Sequence, residues 1–436
     1  MIKTLLERLD EATCNFCAVK VIKAALEEEG YVELKEADKW EVKSGDKFFV
    51  EKNNSAIFAF HIGNERPEDA GFRIIASHSD SPCFKLKPDP EIYCENGMVF
   101  LNVEKYGGGI MYTWFDRPLS LSGRVTVKGK DSFSPKNAVF DLKKPIATIP
   151  HLAIHFNRAV NEGNPLSVQK DMRPVLGRFT PEQIAKEKET GGIIRNLIAR
   201  HLMIRPEDII GLEASLYPCE KGRIIGVNGE FMQSGRIDDL SMAFTSLEAL
   251  LNSDRDQGTT KATKVMAVFD NEETGSSTKQ GAHSPILKNI LKRICLCLSP
   301  DEKDAFYRAV SRSFLVSADD AHAFHPSYSE KHDINSHPFM GGGPVIKINA
   351  NSKYMTDSHG AAVFSDLCER AGVACQYFVN HGDVPGGSTL GNISTSQLDM
   401  PGVDVGCAIW AMHSAAETAS VSDHIDMEKV FRIFFA

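Results

Sequence analysis

VMAVFDNEETG, at residues 265–275, joins a short β-branched apolar run to a cluster of acidic residues. A run of this length bounded by polar residues is typical of a strand buried on both faces of a sheet. Four further runs share the pattern, and the full set is Phe72–Ala76, Val265–Phe269, Phe314–Val316, Val345–Ile348 and Val405–Trp410. Helical periodicity lies between and after them, as in Leu240–Leu251 and Ala361–Ala371. Strands alternating with helices predict the α/β class, here an α/β/α sandwich with a largely parallel sheet.

The middle of the chain has a different character. Alternating segments such as SGRVTVKG and paired Gly and Pro turns favour β-structure there, with one helical stretch at Pro181–Leu202. A chain of 436 residues is also too long for one ordinary core. We therefore expect a catalytic domain made of residues 1–91 and 230–436, with a β-rich domain of residues 92–229 inserted into it.

Composition and charge narrow the possible partners. The net charge of −9 argues against nucleic acid, because phosphate binding normally needs a basic face. No uncharged apolar stretch approaches the roughly 18 residues that a membrane span requires. The N-terminus has the pattern of an amphipathic helix and lacks the features of a signal peptide. These observations predict a cytoplasmic protein that binds neither nucleic acid nor membrane.

The ten cysteines are scattered without framework spacing, which is expected where thiols stay reduced. Cys14 and Cys17 form a CxxC pair, which can indicate redox chemistry or half of a metal site. Both lie in a helical pattern and no second CxxC follows, so plain helix packing is the favoured interpretation. Cys295 and Cys297 lie in the apolar run ICLCL and are expected to be small buried hydrophobic residues.

Polar residues follow the predicted strands at the points where they end. These residues are His78 and Asp80, then Asp270, Glu272 and Glu273, then Asp319 and Asp320, and finally His413. In an open parallel sheet, ligands gather outside the carboxyl ends of the strands. A further segment, SGRIDDL, adds Asp238 and Asp239 where the chain opens a helix. We expect all of these side chains at one edge of one sheet.

Such a cluster predicts a metal site. Crowded carboxylates repel one another and raise one another's pKa values, which a divalent cation relieves. Two imidazoles among carboxylates favour zinc, with cobalt or manganese possible, over calcium or magnesium. Taken singly, a histidine after a strand is usually a loop residue, Glu272 and Glu273 could be solvated acids, and Asp238 could be a helix N-cap. Their joint occurrence favours the metal site.

At these residues the sequence resembles the aspartyl aminopeptidase family of dinuclear zinc metallopeptidases. The resemblance spans nearly the whole chain. Its landmarks are SHSDSPCFKLKP (77–88), YGGGIMYTWFDRPLSLSGRV (106–125), IPHLAIHFNR (149–158), SGRIDDL (234–240), DNEETGSSTKQGA (270–282), SADDAHAFHP (317–326), GPVIKIN (343–349), GGSTLG (386–391) and AMHS (411–414).

The resemblance implies roles for seven residues of the cluster. It implies two zinc ions per subunit, the first held by His78, Asp238 and Asp319. The second would be held by Asp238, Glu273 and His413, with Asp238 as the bridge. Glu272 would be the general base, and Asp80 would hydrogen-bond the far nitrogen of His78.

The same similarity implies a substrate pocket lined by His322, Lys347 and Tyr354. A buried lysine needs a partner, which an acidic substrate side chain would supply. The alternative is a strand lysine that faces solvent. His155 matches a family histidine that reaches the active site of a neighbouring subunit, and His151 is the weaker candidate for that role.

Three positions depart from the family pattern, and one of them, Asn392 where proline is frequent, is expected to be neutral. Asp239 stands where asparagine is expected, and Asp320 stands where an apolar residue is common. The extra negative charge puts metal identity and specificity in doubt more than catalysis.

The predicted function is hydrolysis of the N-terminal residue of peptides with a free N-terminus, with a preference for Asp or Glu. The resemblance also implies a homo-oligomer whose dimers, formed through the inserted domain, assemble into a closed dodecamer. One alternative is an aminopeptidase with a neutral, leucine-type preference. Others are a two-metal carboxypeptidase or deacylase of the same fold, and a non-catalytic scaffold, which would have lost ligands or Glu272.

Overall fold

The computed structural model describes residues 1–436 and divides into two compact units. The first unit comprises Met1–Asp80, Gly222–Met412 and Glu417–Ala436, and the second comprises Ser81–Lys221 and His413–Ala416. The second unit thus begins eleven residues before the predicted boundary at 92, since 92 − 81 = 11, and it takes in four residues from near the C-terminus. None of the helices combines the length and apolarity that a membrane crossing requires.

The first unit contains most of the regular structure. Its helices are α1 (Ile2–Glu11), α2 (Asn15–Glu28), α3 (Pro67–Ala70), α7 (Ile237–Gln257), α8 (Ile286–Leu298), α9 (Ala305–Arg312), α10 (Ser358–Arg370), α11 (Leu390–Thr395) and α12 (Val421–Phe434). Its strands are β1 (Val32–Glu33), β2 (Lys47–Lys52), β3 (Ala56–His61), β4 (Phe72–His78), β11 (Arg223–Ile225), β12 (Phe231–Ser234), β13 (Thr263–Phe269), β14 (Phe314–Ala318), β15 (Ala321–His322), β16 (Val345–Lys347), β17 (Gln376–Phe378), β18 (Gly402–Gly406), β19 (Ala408–Trp410) and β20 (Glu417–Ser420).

A nine-stranded sheet forms the middle layer of this unit, in the order β1-β2-β3-β13-β4-β14-β18-β16-β17. The four neighbouring strands β13, β4, β14 and β18 run parallel, with Phe269 opposite His78 and Ser317 opposite Ala76. Their carboxyl ends therefore lie at the same edge of the sheet. A smaller five-stranded sheet has the order β11-β12-β20-β19-β15.

Both faces of the large sheet are covered, because alternate residues of its strands belong to different hydrophobic cores. Ile75 and Met266 join a core with helices α1, α2, α7, α10 and α12. Ile74 and Val265 join a second core with α8 and α9. Burying each such side chain stabilises the fold by about 1.5–3 kcal/mol relative to exposure. The predicted α/β/α sandwich is confirmed.

One predicted strand is wrong. Val405–Trp410 is not a single strand, because β18 ends at Gly406 in the nine-stranded sheet and β19 begins at Ala408 in the five-stranded sheet. The backbone passes very close to a neighbouring segment at the change, since a Cβ on Gly406 would lie 1.9 Å from Asp319 O. An apolar run shows burial but does not show which sheet its residues join.

The predicted N-terminal helix is two helices, α1 and α2. Cys14 is the residue before α2 and Cys17 lies within it, and both are buried, which confirms plain helix packing. Cys295 is buried on α8 as expected, whereas Cys297 is half-buried.

The second unit is built on an antiparallel sheet of order β8-β7-β10-β5-β6-β9. Its strands are β5 (Cys83–Tyr93), β6 (Met98–Tyr106), β7 (Leu119–Val127), β8 (Lys136–Asp141), β9 (Val175–Arg178) and β10 (Ile209–Pro218). Its helices are α4 (Val168–Asp171), α5 (Pro181–Glu189) and α6 (Ile193–Leu202). The predicted helical stretch 181–202 is thus two helices, because Gly191 and Gly192 adopt positive φ angles that end the first.

Candidate metal centre

Three neighbouring parallel strands deliver the first group of polar residues. Strand β4 ends at His78, β13 ends one residue before Asp270, and β14 ends one residue before Asp319. The pairing of Phe269 with His78 fixes the relative height of two of these strand ends. Parallel strand ends in a doubly covered sheet are where ligands bind in open α/β folds.

His78 is the central side chain of the cluster, and it is only 1% exposed. Its Nε2 lies 3.6 Å from Asp238 Oδ1 and 4.0 Å from Asp319 Oδ1. Its backbone N–H donates to Asp239 Oδ2 at 3.0 Å. Side-chain ligand atoms of His78, Asp238, Asp239 and Asp319 all lie within 4.8 Å of one another. The structure therefore brings together the residues predicted for the first metal, with Asp239 beside them.

Asp80 connects the histidine to the acidic loop after β13. His78 Nδ1 lies 3.0 Å from the main-chain oxygen of Asp80 and 3.4 Å from its Oδ1, so the carbonyl is the nearer partner. The Asp80 carboxylate accepts the backbone N–H groups of Glu272 and Glu273 at 3.1 and 3.2 Å. One buried aspartate therefore orients both the histidine and the loop that carries the two glutamates.

The loop itself has a specific conformation. Glu272–Thr274 form one turn of 3-10 helix after Asn271, whose φ is +64°. The side-chain oxygen of Asn271 accepts hydrogen bonds from Thr278 Oγ1 at 2.8 Å and from Gln280 Nε2 at 2.9 Å. Asparagine tolerates left-handed backbone better than most residues. These bonds hold the turn, so the backbone positions of Glu272 and Glu273 are fixed.

Asp238 and Asp239 lie at the start of α7, which is kinked at Asp238. The residue at the cap position is Arg236, whose side chain makes no capping bond and instead donates to Leu9 O and Ala12 O. Asp238 has a non-helical backbone, and its N–H donates to Glu417 Oε2 at 3.1 Å. Asp238 therefore marks a kink in the first turn of α7, where a buried glutamate holds its N–H.

The electrostatics of the cluster fit a cation. Burial, followed by the neighbouring carboxylates, raises the pKa of Asp239 well above its usual value and also raises the pKa of Asp319, Glu272 and Glu273. Burial alone would lower the pKa of His78, but the surrounding carboxylates raise it well above its usual value. Every group thus favours added positive charge. Imidazole and carboxylate donors suit zinc.

The surroundings of Lys347 rule out the solvent-facing alternative, and they show that this lysine does not need a substrate to supply its partner. It is 2% exposed, so it is not a strand lysine facing solvent. Its Nζ donates to Asp319 O at 2.8 Å and Asp320 O at 3.3 Å, and it lies 3.5 Å from Asp319 Oδ2. The lysine therefore already has partners within the protein, which its position on a strand could not show.

The other predicted pocket residues lie around one aromatic ring. His322 is exposed and its ring centre is 5.9 Å from that of Phe378. The ring centre of Tyr354 is 6.5 Å from that of Phe378, and Lys347 Nζ lies 5.4 Å from the Tyr354 ring centre. The three predicted substrate residues of the first unit therefore form one continuous group.

His413 and His155 belong to the second unit. His413 has a φ of +68°, its Nδ1 lies 3.4 Å from Gly108 O, and its carbonyl accepts from Ile110 N at 2.9 Å. It follows β19 of the five-stranded sheet, so the expectation that the last strand of the large sheet delivers it is wrong. His155 is exposed in a turn, whereas His151 packs its ring 4.4 Å from that of Phe115.

Sequence reasoning missed Glu417, and it named Asp270 at a strand end without giving it a role. Glu417 is 1% exposed and accepts the Asp238 N–H, but nothing in the local pattern ETAS indicates this. Asp270 accepts from Asn15 Nδ2 at 3.1 Å and from the backbone of Asn271 at 2.8 Å. Its place at the end of β13 was a usable signal for a loop-supporting role.

A buried histidine facing several carboxylates at the carboxyl edge of an α/β/α sheet is a donor set suited to the zinc ion of a metallohydrolase. A family model described as aminopeptidase I zinc metalloprotease (M18) matches residues 9–435. This chain therefore belongs to that family, and it is a zinc-dependent aminopeptidase, a hydrolase of peptide bonds. The resemblance proposed from the sequence is confirmed, and the carboxypeptidase, deacylase and scaffold alternatives are not supported.

Individual relatives agree over the full length. The probable M18 family aminopeptidase 2 of Clostridium novyi (strain NT) is 45% identical over 431 residues, which cover 99% of this chain and 97% of the relative. The protein of the same description from Pseudomonas aeruginosa (strain UCBPP-PA14) is 39% identical over 432 residues, with the same coverage.

Solved structures show the same fold. A chain in the cryo-EM structure of the Ape4 and Nbr1 complex matches with a TM-score of 0.93 and 34% identity, over 99% of this chain and 84% of that one. The structure described as the S. cerevesiae mApe1 dodecamer matches with a TM-score of 0.86 and 26% identity, over 99% and 95%.

Proposed function

We propose that this aminopeptidase works with two zinc ions. His78, Asp238 and Asp319 would hold the first, and the observation that carries this is the approach of His78 Nε2 to both carboxylates, at 3.6 and 4.0 Å. Asp238 would bridge to the second ion, because a carboxylate has two oxygens to share.

Glu273 and His413 would complete the second site. Glu273 is supported by its position directly after Glu272 in the turn held by Asp80. His413 is supported by the family resemblance and by chain connectivity, since it is bonded to Met412, a residue of the first unit. Cobalt or manganese could replace zinc, since both accept imidazole and carboxylate ligands.

When bound, the zinc ions supply Lewis-acid chemistry at the scissile carbonyl and at the attacking water. Glu272 acts as general base, taking a proton from that water and passing it to the leaving amine. Its backbone N–H is anchored to Asp80 at 3.1 Å, and burial raises its pKa. A carboxyl group with a raised pKa both accepts and returns a proton near neutral pH.

We further propose a preference for N-terminal Asp or Glu. Burial alone would lower the pKa of Lys347, but Asp319 raises it, so the ammonium stays charged. The hydrogen bonds of Lys347 Nζ go to two carbonyl oxygens, which carry no full charge. The ion pair of Lys347 with Asp319 Oδ2, at 3.5 Å, is longer than these bonds, so an acidic substrate side chain would be a second anionic partner, with His322 and Tyr354 as the other polar groups.

A panel of chromogenic amides with N-terminal Asp, Glu, Leu, Ala or Lys tests the preference, run with zinc, cobalt and manganese. We expect Asp and Glu to be cleaved with the highest kcat/KM. A leucine optimum would establish the neutral preference instead. N-acetyl-Asp amide should not be cleaved, because the reaction needs a free amine, and its cleavage would contradict the proposed mode of binding.

We also propose that dimers formed through the second unit assemble into a dodecamer, with His155 reaching a neighbouring subunit's active site. The support is the dodecameric relative of the same fold and the exposed apolar residues Leu152, Ile154 and Phe156 around His155. Exposed apolar clusters often mark protein interfaces. The mass in solution tests the assembly.

Mixing variants tests the role of His155. His155→Phe and Glu272→Gln should each be inactive alone, yet co-assembled they should recover activity, because some sites then combine an intact Glu272 with a neighbour's intact His155. Recovery no greater than the sum of the separate activities would contradict the role across subunits.

A further inference from the structure

A second group of potential ligands lies in the first unit, outside the zinc pair proposed above. It consists of Asp320, Cys407 and His424, whose ligand atoms lie within 4.8 Å of one another. All three side chains are buried, at 3%, 0% and 0% exposure.

Backbone pairing places two of these residues together. Asp319 N donates to Val405 O at 2.9 Å, and Ala321 N donates to Cys407 O at 2.8 Å, so the segments 319–321 and 405–407 run side by side. Glycine at 406 permits this approach, because a Cβ there would lie 2.9 Å from Asp320 Cα as well as meeting Asp319 O. The third residue, His424, comes from the first turn of α12.

The tautomer of His424 is set by a backbone carbonyl. Its Nδ1 lies 3.0 Å from Ser420 O, which can only accept a hydrogen bond, so Nδ1 carries the proton. Nε2 then holds the lone pair, and this buried atom has no hydrogen-bond partner. Burial lowers the pKa of His424 to about 4, so the ring is neutral near pH 7. A neutral imidazole whose other nitrogen donates to a carbonyl is the usual form of a metal-binding histidine.

Only one of the two carboxylate oxygens of Asp320 has a hydrogen-bond partner. Its Oδ2 accepts from Ser241 Oγ at 2.8 Å, while its buried Oδ1 has no hydrogen-bond partner. While Asp320 is ionised, its Oδ1 and His424 Nε2 are both acceptors, so they need a proton or a cation between them. Buried polar atoms without partners are costly, and a shared cation would satisfy both.

We propose that Asp320, Cys407 and His424 bind a zinc-class divalent ion that is distinct from the catalytic pair. A thiolate, a carboxylate and a neutral imidazole together carry a charge of about −2, which balances one such ion in a buried site. The thiol proton is released to solvent on binding, and a water molecule completes a tetrahedral shell. The ion would tie the segment after β14 to α12.

The thiolate gives this site a signature that the catalytic pair lacks, because no cysteine is among the proposed ligands of that pair. Cobalt-loaded protein should show a near-ultraviolet thiolate-to-cobalt charge-transfer band. Cys407→Ser should abolish the band and reduce bound metal by about one ion per chain. Cys295→Ser is the matched control, since Cys295 is also buried but lies on α8 away from this cluster, and it should leave both readouts unchanged.

The absence of the band from the unsubstituted protein, with equal metal content in the Cys407→Ser variant, would overturn the proposal. A proton shared between Asp320 and His424 would then account for the geometry. Should the variant fail to fold, X-ray absorption of the zinc-loaded unsubstituted protein decides, because a Zn–S shell near 2.3 Å supports the site and a purely N/O shell refutes it. Loss of the catalytic pair alone would leave the sulfur signal intact, so the two proposals fail separately.

Discussion

Helix α7 carries buried carboxylates at both ends, and the two ends differ in what compensates their charge. At the C-terminal end, Asp254 accepts hydrogen bonds from Tyr31 at 2.7 Å and Lys264 at 3.0 Å, with His61 Nδ1 at 2.6 Å and Lys47 at 3.2 Å. Burial alone would raise the pKa of Asp254, but these partners hold it well below its usual range.

At the N-terminal end of α7, the buried negative charge is not compensated in this way. Asp239 is fully buried, its Oδ2 accepts one backbone N–H from His78, and its Oδ1 has no hydrogen-bond partner. Burial and the nearby carboxylates of Asp319, Asp320 and Asp238 raise its pKa well above the usual value.

The difference separates structural acids from functional ones. A buried carboxylate surrounded by protein cations is already neutralised and contributes to stability. A group of buried carboxylates that outnumbers its protein cations is stable only when protonated or when a cation is supplied from outside. The predictions below test whether the two ends of α7 behave in these two ways.

The largest expected effect is on catalysis at the N-terminal end. Glu272→Gln keeps the shape of the side chain but removes the base, so kcat should fall by about 10²–10⁴-fold. Steady-state kinetics at saturating substrate measures it. Metal content and the free energy of unfolding should stay at the values of the unsubstituted protein. Activity within a few-fold of the original would contradict the assignment of Glu272.

The largest expected effect on stability lies at the C-terminal end. Asp254→Asn removes the charge that compensates Lys264, which is 1% exposed, and His61 beside it. Breaking a buried ion pair in this way should lower the free energy of unfolding by about 3–5 kcal/mol. Urea unfolding followed by circular dichroism checks this. A loss below about 1 kcal/mol would mean that this cluster is not the structural element described here.

The contribution of Asp254 to the free energy of unfolding should depend on pH, and the sign of this dependence follows from its lowered pKa. The folded-state pKa of Asp254 is depressed, so its contribution is fully present above its unfolded pKa of about 3.9 and is lost as pH falls below it. The difference in unfolding free energy between the original protein and Asp254→Asn should therefore be constant near neutral pH and shrink below about pH 4. A difference that grows on acidification would show that the sign is wrong.

The smallest effect is expected for the matched change at the other end. In metal-free protein, Asp239→Asn should alter the free energy of unfolding by less than about 1 kcal/mol, because the amide oxygen still accepts the His78 N–H and a buried charge is removed. Chelator-treated samples of both proteins provide the measurement. A loss as large as that of Asp254→Asn would erase the distinction between the two ends.

Much of the first unit could be predicted, because its strands are short apolar runs with clear ends. Phe72, Val265 and Phe314 each mark a predicted strand that the structure contains, with ends that differ by up to two residues. Burial on both faces leaves the same apolar signal wherever a strand lies in the sheet. The division of Val405–Trp410 between two sheets could therefore not be predicted from the local sequence pattern.

The site residues divide in the same way. His78, Asp238 and Asp319 were proposed from strand ends and from the family motifs, and the structure places their side chains together. The hydrogen bonds from Lys347 to Asp319 O and Asp320 O were not foreseen, since a lysine on a strand carries no sign of its partner.

The sequence by itself determined the α/β/α class, the family and the strand ends at which the acids lie, because apolar period and motif spacing are local properties of the chain. Tertiary structure alone decided which buried acids are compensated. Asp254 meets His61 across 193 positions, and Asp320 lies beside Cys407 and His424, close to a hundred positions away. Such contacts depend on how separate segments pack, and packing leaves no periodic trace in any one of them.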